Sequence, residues 1–393
     1  MADNDFNEQR EYMRIKELIH TVPICEEKRL MRRIEEFGTL CSDRRLYKSL
    51  KWKFRWHRKI HPKRFPFGEL DVTWANQTTP LVSVIVPNYA HSPYLKERID
   101  CILNQTFQNF ELILLDDCSP DNSQEILLSY KDHPKVSHII INEKNTGNTF
   151  LQWEKGVNIA RGKYIWIAES DDYADETFLE CVMFAFFQNE DCALVRTGSY
   201  QVNSKGRILL RDWDLWKEDC AIHYYKGHQY IVGKMLHFNY IYNASMVVFR
   251  KDVFQQIDKS YQKLRYTGDW QCWIEFLQKG AVCEYRRKLN YFRQHENKVS
   301  VRSERSYRGF IDQVNVMAYT VKNLKMSAFR KSMIRGEQYE IIMRVLVFVD
   351  EGKEDFLDAL YKNLGASKLD YRLYKLVSFF EFLPFVHAVR MKN

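Results

Sequence analysis

Three short polar clusters stand out in the sequence, each directly behind an apolar run: Pro87-Asn88-Tyr89, Asp116-Asp117-Cys118-Ser119-Pro120-Asp121 and Glu169-Ser170-Asp171-Asp172. Taken singly, each suits a turn followed by a helix N-cap, because Asp, Asn and Ser favour both positions. Taken together, they put several carboxylates at neighbouring strand ends, where like charges repel unless a cation or a hydrogen-bonding ligand is held there. Oxygen ligands without cysteine, and with few histidines, point to Mg²⁺ or Mn²⁺ bridging phosphates, where the ion would neutralise charge on a leaving diphosphate.

Those clusters need a sheet to bring them together. Residues 82–86 read as an apolar strand, and residues 94–104 as a helix with Leu95, Ile99, Ile102 and Leu103 on one face. Strands then follow at 110–115, 136–141 and 164–168, with helices at 123–130 and 149–160 between them, the second closed by Gly162. This alternation predicts an α/β domain with a mainly parallel, doubly wound sheet, whose ligands bind at the carboxyl ends of its strands. Beyond residue 200 the regularity weakens, with strands expected at 244–249 and 281–285 around a helix at 269–278.

The runs Val82-Ser83-Val84-Ile85-Val86-Pro87-Asn88-Tyr89, Ile102-Leu103-Asn104-Gln105-Thr106-Phe107-Gln108-Asn109-Phe110-Glu111-Leu112 and Asp116-Asp117-Cys118-Ser119 closely resemble the family 2 glycosyltransferases. So do Asn145-Thr146-Gly147 and Trp166-Ile167-Ala168-Glu169-Ser170-Asp171-Asp172. The resemblance covers about residues 81–300 and implies a GT-A fold, a mixed Rossmann-like sheet, acting as an inverting, metal-dependent transferase on a nucleotide-sugar donor, most often a UDP-sugar. It implies that Pro87 and Tyr89 wall the base and ribose, that Asp117 hydrogen-bonds the base, and that Asn88, Asp116, Asn145 and Gly147 belong to the same nucleotide site. Glu169, Ser170 and Asp171 occupy the family's Asp-x-Asp position. Glu169 departs from that pattern, so the expected metal ligands are Asp171 and Asp172, with Glu169 and Ser170 toward the nucleotide.

An inverting transfer also needs a base for the acceptor hydroxyl. Tyr266-Thr267-Gly268-Asp269-Trp270 resembles the segment where the family places it, which makes Asp269 the candidate; as an isolated residue it would equally suit a helix N-cap. Farther on, residues 291–300 resemble a loop of many members, so that His295 is a candidate for the metal or a phosphate and Arg293 for the diphosphate. Trp270 and Trp273 suit sugar stacking or core packing alike.

Residues 1–75 read as a basic, helical extension, 76–80 as a linker, 81–300 as the catalytic domain and 305–393 as a helical C-terminal region. Ten Lys or Arg and no acid lie between residues 44 and 64, more than the whole net charge of +8, so the basicity is local. Trp52, Phe54 and Trp56 interleave with them, and residues 371–392 repeat the aromatic and basic pattern. Both segments suit an anionic membrane surface, nucleic acid, or packing back on the domain. Confinement of the charge to one stretch argues against nucleic acid as a partner. The membrane reading would make the acceptor a saccharide or lipid-linked saccharide of a growing cell-surface glycan.

Nine scattered cysteines without a Cys-x-x-Cys pair predict reduced thiols. A polar N-terminus and the lack of any run near eighteen apolar residues predict a cytoplasmic protein, peripheral at most on the inner face of the membrane. The competing class is a non-catalytic nucleotide-binding scaffold, which would have no reason to keep clustered carboxylates. A nucleotidyltransferase would need a Gly-rich, basic loop after Val86, and none is present.

Overall fold

Four runs dominated by bulky apolar side chains form the parallel half of a mixed sheet: β1 (Val82–Asn88), β2 (Phe110–Asp116), β3 (Val136–Ile141) and β4 (Tyr164–Ile167), in the order β3-β2-β1-β4. In the computed structural model, residues 79–209, 213, 214, 216, 218, 219, 221–295 and 307–379 are described, together with Ile34, residues 45–51 and Lys53. β1, β2 and β4 are buried along their whole length, as a sheet covered on both faces requires.

Helices α1 (Ser92–Leu103), α2 (Ser123–Leu128), α3 (Thr149–Ile159) and α4 (Phe178–Gln188) supply the two covers. Strand alternation sorts the side chains between them. Val82, Val84, Val86, Leu112 and Leu114 face a core shared with Leu95, Ile99 and Ile102 of α1 and with the apolar length of α4. Ile85, Ile113 and Leu115 face the other core, with Phe150, Trp153 and Val157 of α3. Asn148 caps α3 by accepting the amide of Phe150 at 2.9 Å, a contact worth about 1 kcal/mol to such a helix.

The second half brings in the antiparallel pairings that make the sheet mixed. β5 (Tyr173–Ala174), β6 (Cys192–Asn203), β7 (Ile222–Tyr225), β8 (Val247–Arg250) and β9 (Ala281–Gln294) continue it as β4-β8-β6-β9-β5, with β7 also on β9. β8 runs antiparallel to both β4 and β6, whereas β6 and β9 are parallel. The strand expected at 244–249 begins later, because Ala244–Met246 forms a 3₁₀ turn, and the one expected at 281–285 runs on to Gln294. Residues 291–294 are therefore strand and not loop; residues 296–300 lie outside the described residues.

β6 escapes sequence patterning because Arg196, Thr197, Ser199 and Gln201 are polar yet buried. The Arg196 guanidinium pairs with the carboxylate of Asp214, which also accepts the Ser199 amide at 2.9 Å and the Tyr242 hydroxyl at 3.2 Å. A buried charge survives only with such partners. Trp213 beside Asp214 packs against Tyr242 and Phe292, so part of the 200–265 segment is anchored to the sheet.

Between β8 and β9 lies α5 (Gly268–Lys279), and after β9 come α6 (Gly309–Asn323), α7 (Ala328–Val345), α8 (Lys353–Asp358) and α9 (Lys368–Phe379). Val314, Met317, Ile334, Tyr339 and Ile342 of these last helices join the core that contains Phe150 and Trp273. α9 packs on α7 through the stacked rings of Tyr339 and Tyr371, 5.1 Å apart, while Leu369, Leu376 and Phe379 remain exposed. No helix among the described residues is long and apolar enough to cross a membrane. Trp52, Phe54 and Trp56 of the basic stretch, and residues 380–393 of the tail, lie outside the described residues.

Candidate active site

The register of the parallel strands brings the three polar clusters to one edge. Asn88 pairs with Asp116 across β1 and β2, and Ile85 pairs with Ile167 across β1 and β4, so residues following 88, 116 and 167 emerge side by side. On the far side, Tyr173 of β5 pairs antiparallel with Tyr291 of β9, which sets Arg293 and His295 against Asp171 and Asp172.

Directly beneath that edge sits a layer of polar groups that hold one another. The Asn88 amide group donates to Asp116 at 2.8 Å and to the Ser119 hydroxyl at 3.1 Å, and Asp116 also accepts the Ser119 amide at 2.9 Å. Both side chains are buried, as is Pro87 within β1. Asp116 and Asn88, expected at the nucleotide, thus fasten the strand ends, while Tyr89 above them is 45 % exposed and open to a ligand. Asp117 accepts from the side chains of Asn142 at 2.7 Å, Thr146 at 2.7 Å and Gln152 at 2.9 Å, and from the Thr146 amide. It therefore organises the loop carrying Asn145 and Gly147, both exposed. Gly147 adopts φ +65°, a left-handed conformation that glycine takes without a Cβ penalty. Asn142, Thr146 and Gln152 also line an open cleft of about 470 Å³ with Lys144 and Lys155.

The last cluster divides into two roles. The carboxylate of Asp172 accepts the Asn243 side-chain amide at 2.8 Å and the Arg293 backbone amide at 2.9 Å, and is buried. It acts as an internal fastening, in contrast to its expected place as a metal ligand. Asp171 instead meets His295, with Oδ2 and Nε2 3.0 Å apart. Ligand atoms of His91, Asp171 and His295 all lie within 4.8 Å of one another, close enough to share one divalent ion. The donor set fits such an ion. Ser170 is buried, with its hydroxyl 2.8 Å from Nδ1 of His91. Glu169 accepts from Trp153 Nε1 at 2.9 Å; burial, reinforced by the Asp171 charge, pushes its pKa up to about 8.

Arg293 is not available to a diphosphate. Its side chain is 2 % exposed, and its guanidinium donates to the carbonyl oxygens of Asp171 at 2.7 Å and Ser204 at 3.0 Å and pairs with Glu97. Trp270 likewise serves the core, buried with Nε1 donating to the Met235 carbonyl at 2.8 Å.

Asp269 lies in the first turn of α5, one residue inside Gly268, with Thr267 as the N-cap. Its carboxylate accepts the Asn239 side-chain amide at 3.0 Å, and burial raises its pKa to about 6. It is connected to Glu169 through aromatic packing: Trp153, the Glu169 donor, stands edge-on to Phe150, 5.0 Å between centroids. A Cβ on Gly268 would in turn meet the Phe150 ring at 2.5 Å. Sequence reasoning missed His91, Trp153, Asn239 and Asn243. Only His91 carried a local signal, since it directly follows the first polar cluster.

Glycosyl transferase family 2 matches residues 83–258 of the chain. An uncharacterized glycosyltransferase of Haemophilus influenzae is 29 % identical, over 57 % of this chain and 68 % of that protein. The putative teichuronic acid biosynthesis glycosyltransferase TuaG of Bacillus subtilis is 26 % identical, over 61 % of this chain and 92 % of its own. Among solved structures, S. aureus TarS superposes with a TM-score of 0.55 at 18 % identity, covering 79 % of this chain; this chain spans about half of TarS, 53 %. A shorter TarS, residues 1–349, solved with UDP-GlcNAc, gives a TM-score of 0.51 at 18 % identity, over 78 % of this chain and 83 % of that one. The mixed sheet with both faces covered is thus a GT-A fold, and residues 83–258 of the chain are similar to glycosyl transferase family 2.

Proposed function

We propose that the chain is an inverting glycosyltransferase that takes a sugar from a UDP-sugar and delivers it to a hydroxyl of a growing cell-surface polysaccharide. The observation that carries this reading is the convergence, at the carboxyl edge of the sheet, of Asp171 and His295 with the strand-end clusters of β1 and β2. TarS, which shares the fold, has been solved with UDP-GlcNAc, and TuaG is named as a putative teichuronic acid biosynthesis glycosyltransferase; these support the donor and acceptor classes.

In this reading Tyr89, Asp117 and the Asn145–Gly147 loop contact the nucleotide, with Pro87, Asn88 and Asp116 holding that wall in place. Asp171 and His295 would hold Mn²⁺ or Mg²⁺, whose chemistry is neutralisation of charge on the departing diphosphate. Asp269 takes the proton of the acceptor hydroxyl as its oxygen bonds to the anomeric carbon. The bond from that carbon to the diphosphate breaks, the nucleoside diphosphate leaves with the electron pair, and configuration inverts. A carboxylate with a pKa near 6 is a stronger base than an ordinary aspartate and is still ionised at neutral pH.

Residues 81–300 would constitute the catalytic domain and 305–393 its helical extension. The exposed face of α9, with Leu369, Leu376 and Phe379 beside Lys368, Arg372 and Lys375, suits an anionic membrane surface and hence a lipid-linked acceptor on the cytoplasmic side.

The test is release of nucleoside diphosphate from UDP-, GDP- and dTDP-sugars with Mn²⁺ or Mg²⁺ and saccharide acceptors. Turnover of one donor, lost in Asp171→Ala and Asp269→Asn, is expected. Absence of turnover, with no nucleotide bound, would replace this reading by a non-catalytic scaffold.

A further inference from the structure

His91 lies within reach of Asp171 and His295, and the chain goes to some length to place it there. It occupies the N-cap position of α1 without using its side chain as a cap. Ala90 before it adopts φ +57°, a left-handed conformation uncommon for a residue with a Cβ. Two contacts hold this turn: the Ser119 hydroxyl accepts the Ala90 amide at 2.9 Å, and the Asp121 carboxylate accepts the Ser92 amide at 3.0 Å. Backbone strain of this kind persists where the surroundings over-determine it, and it concentrates at functional sites.

The turn sets the His91 imidazole edge-on to that of His295, with centroids 5.4 Å apart and planes at 83°. Tyr94, one helical turn along, packs on His295 at 5.4 Å. The Ser170 hydroxyl at Nδ1 of His91 fixes the ring orientation, the service that outer partners render to metal-bound histidines.

We propose that His91 is a metal ligand which completes, with Asp171 and His295, a site of two imidazoles and one carboxylate. This rests on the reading of the chain as a nucleotide-sugar transferase and refines the ion it uses. Two imidazole donors favour transition-metal ions over Mg²⁺, with Co²⁺ and Zn²⁺ favoured most and the harder Mn²⁺ less, because Mg²⁺ prefers oxygen and retains its water. The site therefore selects against Mg²⁺, narrowing the choice that the acidic clusters alone left open.

The experiment uses the full chain without nucleotide. Mn²⁺ binding is followed by loss of the free-ion EPR signal, with Mg²⁺ as competitor, and Co²⁺ binding by its visible absorption. His91→Ala is compared with His91→Gln, which preserves a hydrogen-bonding partner for Ser170 if the alanine variant folds poorly. UDP affinity in chelator and the melting temperature are measured alongside. The expected result is Mn²⁺ bound at least about tenfold more tightly than Mg²⁺ by the wild type, and weakened at least about tenfold in both variants. UDP affinity in chelator and the melting temperature stay unchanged. Equal Mn²⁺ binding by wild type and variants, or Mg²⁺ binding as tight as Mn²⁺, overturns the assignment of His91 while leaving the transferase reading intact if UDP still binds. Failure of the wild type to bind either ion or UDP overturns both.

Discussion

The backbone amide of Arg293 donates to Oδ1 of Asp172 at 2.9 Å, while its Nε donates to the carbonyl oxygen of Asp171 at 2.7 Å. One residue of β9 thereby clamps the acidic loop that follows β4. The loop's geometry is set from more than a hundred residues away, and so is the meeting of Asp171 with His295.

That clamp predicts a stability phenotype for Arg293. Arg293→Ala leaves the Asp171 carbonyl unpaired in a buried place and removes the partner of the half-exposed Glu97, and should cost about 1–3 kcal/mol in urea unfolding. Arg293→Lys, which keeps the charge but not the planar fork, should also be destabilised, by a smaller amount. A variant of normal stability with a raised donor KM would instead mean that Arg293 contacts the diphosphate.

Asp269 should show opposite effects on activity and stability. Asp269→Asn is expected to lower kcat by about 10²–10⁴-fold. Burial raises the Asp269 pKa from 3.8 to about 6, so ionisation costs the folded state more than the unfolded one. This cost is absent below pH 3.8, grows as pH rises, and is complete above about 6; the asparagine variant should therefore be more stable by about 1–3 kcal/mol at pH 7.5 and unchanged at pH 3.5. Wild-type kcat/KM should rise with pH to a plateau above about 6. Melting temperatures and rates across pH would check both.

Asp312 of α6 accepts the backbone amides of Arg265 and Tyr266 at 2.9 and 2.8 Å, just ahead of Gly268. Asp312→Ala removes the acceptor of two amides, one of them exposed to water, at a cost of about 0.5–1.5 kcal/mol. If the C-terminal helices position the base in this way, kcat should fall while donor KM holds; steady-state kinetics would read the split.

Gly268 marks a close approach that admits no side chain. A Cβ there would stand 2.5 Å from the Phe150 ring and from the Tyr261 carbonyl oxygen. Gly268→Ala should push the start of α5 away, destabilise by about 1–3 kcal/mol and reduce turnover with the base itself intact. Thermal unfolding and turnover of the variant test this.

The exposed face of α9 predicts binding to vesicles containing anionic lipid at low salt, weakening as salt is raised. Replacing Leu369, Leu376 and Phe379 together by serine should abolish it without moving the melting temperature, as all three are exposed. Co-sedimentation of wild type equal to that of the triple variant would exclude this face.

Much of the parallel half of the sheet was legible in the sequence. The runs at 82–86, 110–115, 136–141 and 164–168 carry their burial in local composition, and helix faces such as Leu95, Ile99 and Ile102 repeat at helical spacing, so hydrophobic period alone located them. The polar clusters behind them were legible too, because a parallel sheet delivers its strand ends to one edge. What only the tertiary structure decided was the division of labour inside those clusters. Asp171 and Asp172 are neighbours in sequence, yet one faces His295 while the other is held by Asn243 and Arg293. That outcome depends on the register of β5 against β9 and on β6, whose buried polar residues give no periodic signal, since their partners are distant in the chain. Local pattern fixes which residues reach the edge; long-range pairing decides which of them still face a ligand when every buried polar group has found its partner.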